Sequence, residues 1–379
     1  MKVGFLGDFC PLIGSADSFQ MVFNQLQESN IIKELSKNDF NIANLEMPIT
    51  NNTDHIAKIG PSFKTDVESI KFLKALKINC VSTANNHITD YGLEGLINTR
   101  NNLDSNKIKY AGDWIKGDKN ENYFISLESN EVKLAIIFCA EDEFNSKLFK
   151  NYGSYSSEPI SVYNKINFLK KNHDHVIIYP HGGIEDFSFP TIEKQKLYRF
   201  FIDAGASAVI GNHTHCIQGY EMYKEKPIFY SLGNFFYPSS DSYKGGKYGL
   251  YVDFEFSKTE FVFEFSFFIQ SNKNYNIELM DHSNTIEFKK EFIEISNVIS
   301  NKIELEGLWL NYINSVKNSY LKSLFPLNKK LLAIVRRSGL IKTKFFQKYL
   351  LLIYNYVQCD THRLNLLKSI KTYINEYPR

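Results

Sequence analysis

An α/β fold that closes in antiparallel strands and ends in helices is predicted by three features of this 379-residue sequence. Short apolar runs recur, segments of helical periodicity separate them, and the texture changes after residue 248 to aromatic residues alternating with polar ones.

The runs are KVGFLGDFC (2–10), FNIANLEMP (40–48), INCVSTANNH (78–87), VKLAIIFCAEDE (132–143), HVIIYPHGG (175–183), ASAVIGNHTH (206–215) and KPIFYSLGNF (226–235). Rich in Val, Ile and Phe, they have the pattern of strands buried on both faces. Between them, DVESIKFLKALK, YGLEGLINTRNNL, PISVYNKINFLKK and TIEKQKLYRFFIDAG carry apolar residues at three- and four-residue spacing, and the last closes on Gly205 as a helix cap. YGLYVDFEF and EFVFEFSFFIQ then alternate, as antiparallel strands with one solvated face do. After about residue 285 the pattern turns helical and then basic, with Pro326 and Gly339 as expected breaks and the stretch 270–285 as the nearest thing to a linker. The expected division is a domain over 1–284 and a basic helical region over 285–379.

A hydrophobic fraction of 43% is enough for a sizeable core. The net charge of +2 conceals an asymmetry: residues 314–379 hold 13 Lys and Arg against two acids, net +11, while the remainder holds 31 against 40, net −9. A tail of that sign is expected to meet something anionic, such as a membrane surface, or the acidic body of its own chain. Five scattered cysteines without a CxxC pair argue against a disulfide framework or structural zinc knuckle. With a strand-like run starting at residue 2 and no apolar run of membrane-spanning length, the expected location is cytoplasmic, or peripheral at the inner membrane face.

The ends of the apolar runs carry the chemistry: Asp8, Glu46, Asn85, Asn86, His87, His181, His213 and His215. All are residue types that ligate hard or borderline metals, and in an α/β sheet the C-terminal strand ends converge on one edge, where ligand sites form. Taken singly, each has an ordinary explanation as a turn or a solvated strand end. Several strand ends together make a stronger case than His213 and His215 alone, whose two-residue spacing on an extended segment would put both rings on one side.

In order, GDFC, NLEMPIT, the stretch beginning ANNHITDYGLEG, HGGIEDF and IDAGASAVIGNHTHC with the residues that follow it resemble the CapA type of capsule and poly-γ-glutamate biosynthesis proteins, in the calcineurin-like metallophosphoesterase superfamily. The resemblance covers roughly residues 1–255. It implies a four-layer α/β/β/α sandwich, to which the helical pattern after residue 285 adds a C-terminal appendage. It also implies two divalent ions, Mn, Fe or Zn: Asp8 and His215 on the first, Asn86, His181 and His213 on the second, and Glu46 bridging. His87 would stabilise charge or protonate the leaving oxygen, with Asp90 orienting its ring. Where the superfamily usually reads Asp-x-His, this chain has Cys10, which is either a soft ligand or a bystander. Asn85, Glu185 and Asn234 are the expected substrate-facing residues, with strand-end hydrogen bonding as the alternative for each.

The expected function is a dinuclear phosphoesterase in capsule or surface-polymer biosynthesis, with metal-bound hydroxide as nucleophile on a phosphorylated or polymeric substrate. The alternatives are a metal-binding accessory subunit of a polymer synthase and a metal-dependent amide hydrolase. Expected partners are a membrane surface or synthase through the basic tail, or a second copy in a homodimer. No nucleic-acid-binding motif, GxxxxGK[ST] loop or GxSxG elbow occurs.

Overall fold

The structure is a computed structural model that describes residues 1–13, 18–119, 122–145, 151–238, 246–271, 275–323, 344–359, 362–363, 365–367 and 369–370. The expected breaks at Pro326 and Gly339 and the basic pairs at 329–330 and 336–337 lie outside the described residues.

The chain begins β1 (Lys2–Phe9), α1 (Phe19–Gln27), α2 (Ile31–Leu35), β2 (Phe40–Leu45), α3 (Ile70–Ala75), β3 (Cys80–Ser82), α4 (Gly92–Ser105) and β4 (Lys109–Ala111). It continues through β5 (Asp113–Ile115), β6 (Phe124–Ser129), β7 (Val132–Ala140), β8 (Tyr152–Ser154), α5 (Pro159–Leu169), β9 (His175–His181), α6 (Ile192–Asp203) and β10 (Ala208–Ile210). Then come β11 (Tyr220–Tyr223), β12 (Lys226–Phe229), β13 (Asn234–Phe236), β14 (Tyr248–Phe256), β15 (Phe261–Gln270), β16 (Ile277–Leu279), α7 (His282–Ser300), α8 (Lys302–Ser323) and α9 (Lys344–Gln358).

Two sheets form. The first runs β16-β15-β14-β1-β2-β3-β4, with β13 also paired to β1, and the second runs β11-β12-β10-β9-β7-β6. β1 to β4 are parallel in the first and β7, β9, β10 and β12 in the second; antiparallel strands finish both edges of the second sheet and the β16 edge of the first, whose other edge is the parallel β4. β7 shows why these runs are apolar throughout. Leu134, Ile136 and Phe138 join a core shared with Val3, Phe5, Ile42 and Val252 of the first sheet. Alternate residues Ala135, Ile137 and Cys139 join an outer core with Val162 and Ile166 of α5 and Phe201 of α6. A third core packs Leu6, Ala43 and Val81 against Val22, Ile31, Phe72 and Leu103 of α1 to α4. Three apolar cores between four layers make an α/β/β/α sandwich, because each strand with two apolar faces needs a partner on both.

The run KPIFYSLGNF, expected as one strand, is two: β12 belongs to the second sheet and β13 to the first. Gly233, at φ +71°, turns the chain between them. The stretch expected as a linker contains β16, which pairs with β15. Compact units span Met1–Gly307 and Leu308–Arg379. The first includes α7, whose Phe292 is buried in the inter-sheet core and whose Ile299 joins the outer core on α5 and α6. The second holds the end of α8 and α9. Among the described residues, no helix is long and apolar enough to cross a membrane.

Candidate metal centre

Parallel strands end at the same edge, so the site is assembled from strand ends of both sheets. The first sheet contributes Asp8 from β1, Glu46 just after β2, and Asn85, Asn86, His87 and Asp90 from the loop after β3; the second contributes His181, the last residue of β9, and His213 and His215 from the loop after β10. All are buried except Asn86, which is half-buried. Gly7 lets β13 join this edge: a Cβ there would sit 1.8 Å from the Gly233 carbonyl oxygen. The close approach sets Asn234 beside Asp8 in register.

Two groups of donor atoms converge, Glu46 with His181 and His213, and Asp8 with Glu46 and His215, each within 4.8 Å. Glu46 is common to both. His213 Nδ1 lies 3.0 Å and Asn86 Oδ1 3.1 Å from His181 Nε2, which is itself 3.4 Å from Glu46 Oε1. His215 Nε2 is 3.8 Å from the same oxygen, and its Nδ1 is 3.8 Å from Asp8 Oδ2. His213 and His215 do not lie on an extended segment: their φ angles are +100° and +55°. A turn through left-handed backbone, costly for residues with a Cβ, gives each ring its direction.

Neither oxygen of Glu46 accepts a hydrogen bond. Burial drives its carboxyl well above the usual range, and Asp8 adds to the effect. Burial also raises Asp8, against the pull of His215 and the bond from Asn44. The imidazoles move the opposite way. Burial, then neighbouring histidines, hold His181 and His213 well below their ordinary value, and burial lowers His215. Among the described residues, no lysine or arginine pairs with either carboxylate. Two buried carboxylates short of positive charge, with three neutral imidazoles and an amide oxygen beside them, are a donor set that suits a pair of divalent cations.

Partners around the donors fix their orientation. Asn44 Nδ2 donates to Asp8 Oδ1 (2.8 Å) and lies 3.1 Å from His181 Nδ1. Asn234 Oδ1 lies 2.8 Å from His215 Nδ1 and accepts its proton, which leaves Nε2 for the cluster, while Asn234 Nδ2 donates to the Gly246 carbonyl. Asn85 donates to Asn44 Oδ1 and the Leu45 carbonyl and accepts from the N–H groups of His87 and Ile88. Asn85 and Asn234, expected to face substrate, are thus committed to internal bonds; both are fully buried. Glu185 stands exposed on the loop after β9, outside both donor groups. Cys10 is also outside them. It packs with Met47 and Tyr237, and burial, then Glu46 and Asp8, push its thiol well up.

Beside the cluster, His87 Nδ1 is 2.7 Å from Asp90 Oδ2 and donates to it. Asp90 also accepts from Lys58 Nζ (2.6 Å) and the Phe63 N–H (2.8 Å), and the Phe63 ring lies 4.5 Å from that of His87. Lys58 and Asn44 were missed in the sequence. Asn44 stands inside the NLE run and carried a signal; Lys58 lies 29 residues before His87 in a stretch without periodicity and carried none.

Strand ends of both sheets thus gather carboxylate, imidazole and amide donors around one shared glutamate. The comparisons bear on the family. Residues 2–239 match the family described as bacterial capsule synthesis protein PGA_cap, and the chain belongs to that family. It is 29% identical over 202 residues to the PGA biosynthesis protein CapA of Bacillus subtilis, covering 52% of this chain and 53% of that one. To the capsule biosynthesis protein CapA of Bacillus anthracis it is 31% identical over 176 residues, covering 44% and 42%. The chain therefore spans about half the length of these curated relatives. Among solved structures, a novel phosphatase from Mycoplasma pneumoniae aligns at 16% identity and a TM-score of 0.47, covering 73% of this chain and 95% of that one.

Proposed function

We propose that this protein is a metal-dependent phosphoesterase acting in the biosynthesis of a bacterial capsule or other surface polymer. The observation that carries the reading is Glu46: a buried carboxylate with two unsatisfied oxygens, shared by two donor groups whose Asp8, His181, His213 and His215 feel the charge of His87, a histidine in neither group. Asp8, Glu46 and His215 would hold one cation, and Glu46, Asn86, His181 and His213 the other. Such a pair supplies a water acidic enough to attack phosphorus near neutral pH and positive charge for the phosphoryl oxygens. The protein's own part is orientation and proton transfer. Asp90 keeps the His87 proton on Nδ1, so Nε2 is the atom offered to the leaving-group oxygen. Lys58 and the Phe63 N–H hold Asp90 in place.

The test combines metal content with turnover of bis-p-nitrophenyl phosphate and p-nitrophenyl phosphate, in wild type and His87→Ala. Two ions per chain in both proteins are expected, with turnover reduced about 10²- to 10⁴-fold in the variant. A metal-loaded wild type that cleaves neither compound would overturn the phosphoesterase reading and favour an accessory subunit or an amide hydrolase.

A further inference from the structure

We infer, on the metal-centre part of the proposed reading and not on its reaction, that Asn44 is a positioning residue coupling the two donor groups, so that a cation held by one favours a cation in the other. β2 sends Ile42 into the core between the sheets and Ala43 and Leu45 into the core against α1 to α4. Alternation therefore puts Asn44 on the inter-sheet side, and its register on β1 sets it beside Asp8. A fully buried amide left unbonded there would cost about 1–3 kcal/mol, and an apolar residue would serve packing better. Asn44 is instead fully engaged: Nδ2 lies 2.8 Å from Asp8 Oδ1 and 3.1 Å from His181 Nδ1, and Oδ1 accepts from Asn85 Nδ2 at 3.1 Å.

Asp8 is in the group completed by His215, and His181 is in the group completed by His213; Asn44 is in neither and touches both. Asn85 carries the connection further, because its Oδ1 accepts from the N–H groups of His87 and Ile88, in the loop that bears Asn86. A planar amide held at both ends cannot turn toward one partner without leaving another. A cation that orders Asp8 thus orders Asn44, and with it the His181 ring and the Asn86 loop, so the second cation meets donors already in place. Two cations that share Glu46 repel each other, and this link opposes the repulsion.

The test is a Mn²⁺ titration of the metal-free full chain, read by electron paramagnetic resonance, which separates an exchange-coupled Mn²⁺ pair from an isolated ion. At one Mn²⁺ per chain, wild type should show mostly the pair signal. In Asn44→Ala the isolated signal should dominate, the second ion binding about 5- to 150-fold more weakly relative to the first than in wild type. Asn44→Thr suits a strand but has one O–H, which cannot serve Asp8 and His181 together; it should shift the same way, and it replaces the alanine variant should that one fail to fold. Ile42→Ala, a core deletion on the same strand, should lower the melting temperature and leave the share of pair signal unchanged. An equal share of pairs in wild type and the Asn44 variants would overturn the inference and leave the metal centre standing, as would an equal loss of pairs in Ile42→Ala. A wild type that takes up no Mn²⁺ would overturn the inference and count against the metal centre as well.

Discussion

At Glu46, two demands on one side chain oppose each other. With a cation in each donor group the carboxylate would serve both; without them it is a buried carboxyl, pushed well up by burial, whose oxygens accept no hydrogen bond. Glu46→Gln should therefore separate folding from binding. The metal-free variant is expected to melt higher than metal-free wild type, while metal content falls below two ions per chain, as measured by calorimetry and elemental analysis. A variant that kept full metal content would remove Glu46 from the bridging role. Lys58 makes a different demand. Its side chain, 5% exposed, pairs with a fully buried Asp90, so Lys58→Met leaves a buried charge uncompensated and should cost about 3–5 kcal/mol of stability if the pair is broken outright. Lys58→Arg should recover part of that loss, and of the turnover of model phosphoesters; equal behaviour of the two variants would remove the ion pair from the account.

Strand pairing sets the next scale. Gly7 admits β13 to the site edge, and Gly7→Ala would force a methyl group against the Gly233 carbonyl. Overpacking of this kind costs about 1–3 kcal/mol, and here it should also weaken metal binding by shifting Asn234 from His215. A lower melting temperature with unchanged metal affinity would show that β13 does not position the histidine. His175, at the start of β9, adds a pH dependence away from the cluster. Burial lowers its pKa from the ordinary value near 6.5, although its Nε2 donates to the Ser257 carbonyl. Above that value, both folded and unfolded chains hold it neutral. As pH falls below it, the unfolded chain gains a proton that the folded one resists, so stability declines. Between about pH 7.5 and 5.5, His175→Gln should lose less urea resistance than wild type; an identical decline would exclude His175 as a source.

These elements also show what the sequence could convey. β7 and β9 were legible because both faces are apolar and the run is unbroken, and the donor residues were legible because they end such runs. The division of KPIFYSLGNF was not: both halves carry apolar residues that suit a strand, and the separation depends on one glycine dihedral. Nor was the His213–His215 turn, since two-residue spacing fits an extended segment equally well. Lys58 reaches its partner only through tertiary folding, which no local spacing records.

For the whole molecule, cation binding should dominate stability. Each ion that binds only the folded chain adds about 2.7 kcal/mol at a free concentration of 100 times its Kd. Chelation should thus lower the melting temperature by several degrees, and divalent metal should restore it. No change on chelation would contradict the donor-set reading.

The division of the donors between sheets has a consequence in time. Asp8, Glu46 and Asn86 lie in the first quarter of the chain, whereas His181, His213 and His215 follow about a hundred residues later. A nascent chain has no complete site until residue 215 has left the ribosome and the second sheet has packed on the first. On the proposed reading, cation capture would be a late event in synthesis, locking an arrangement that folding has already reached.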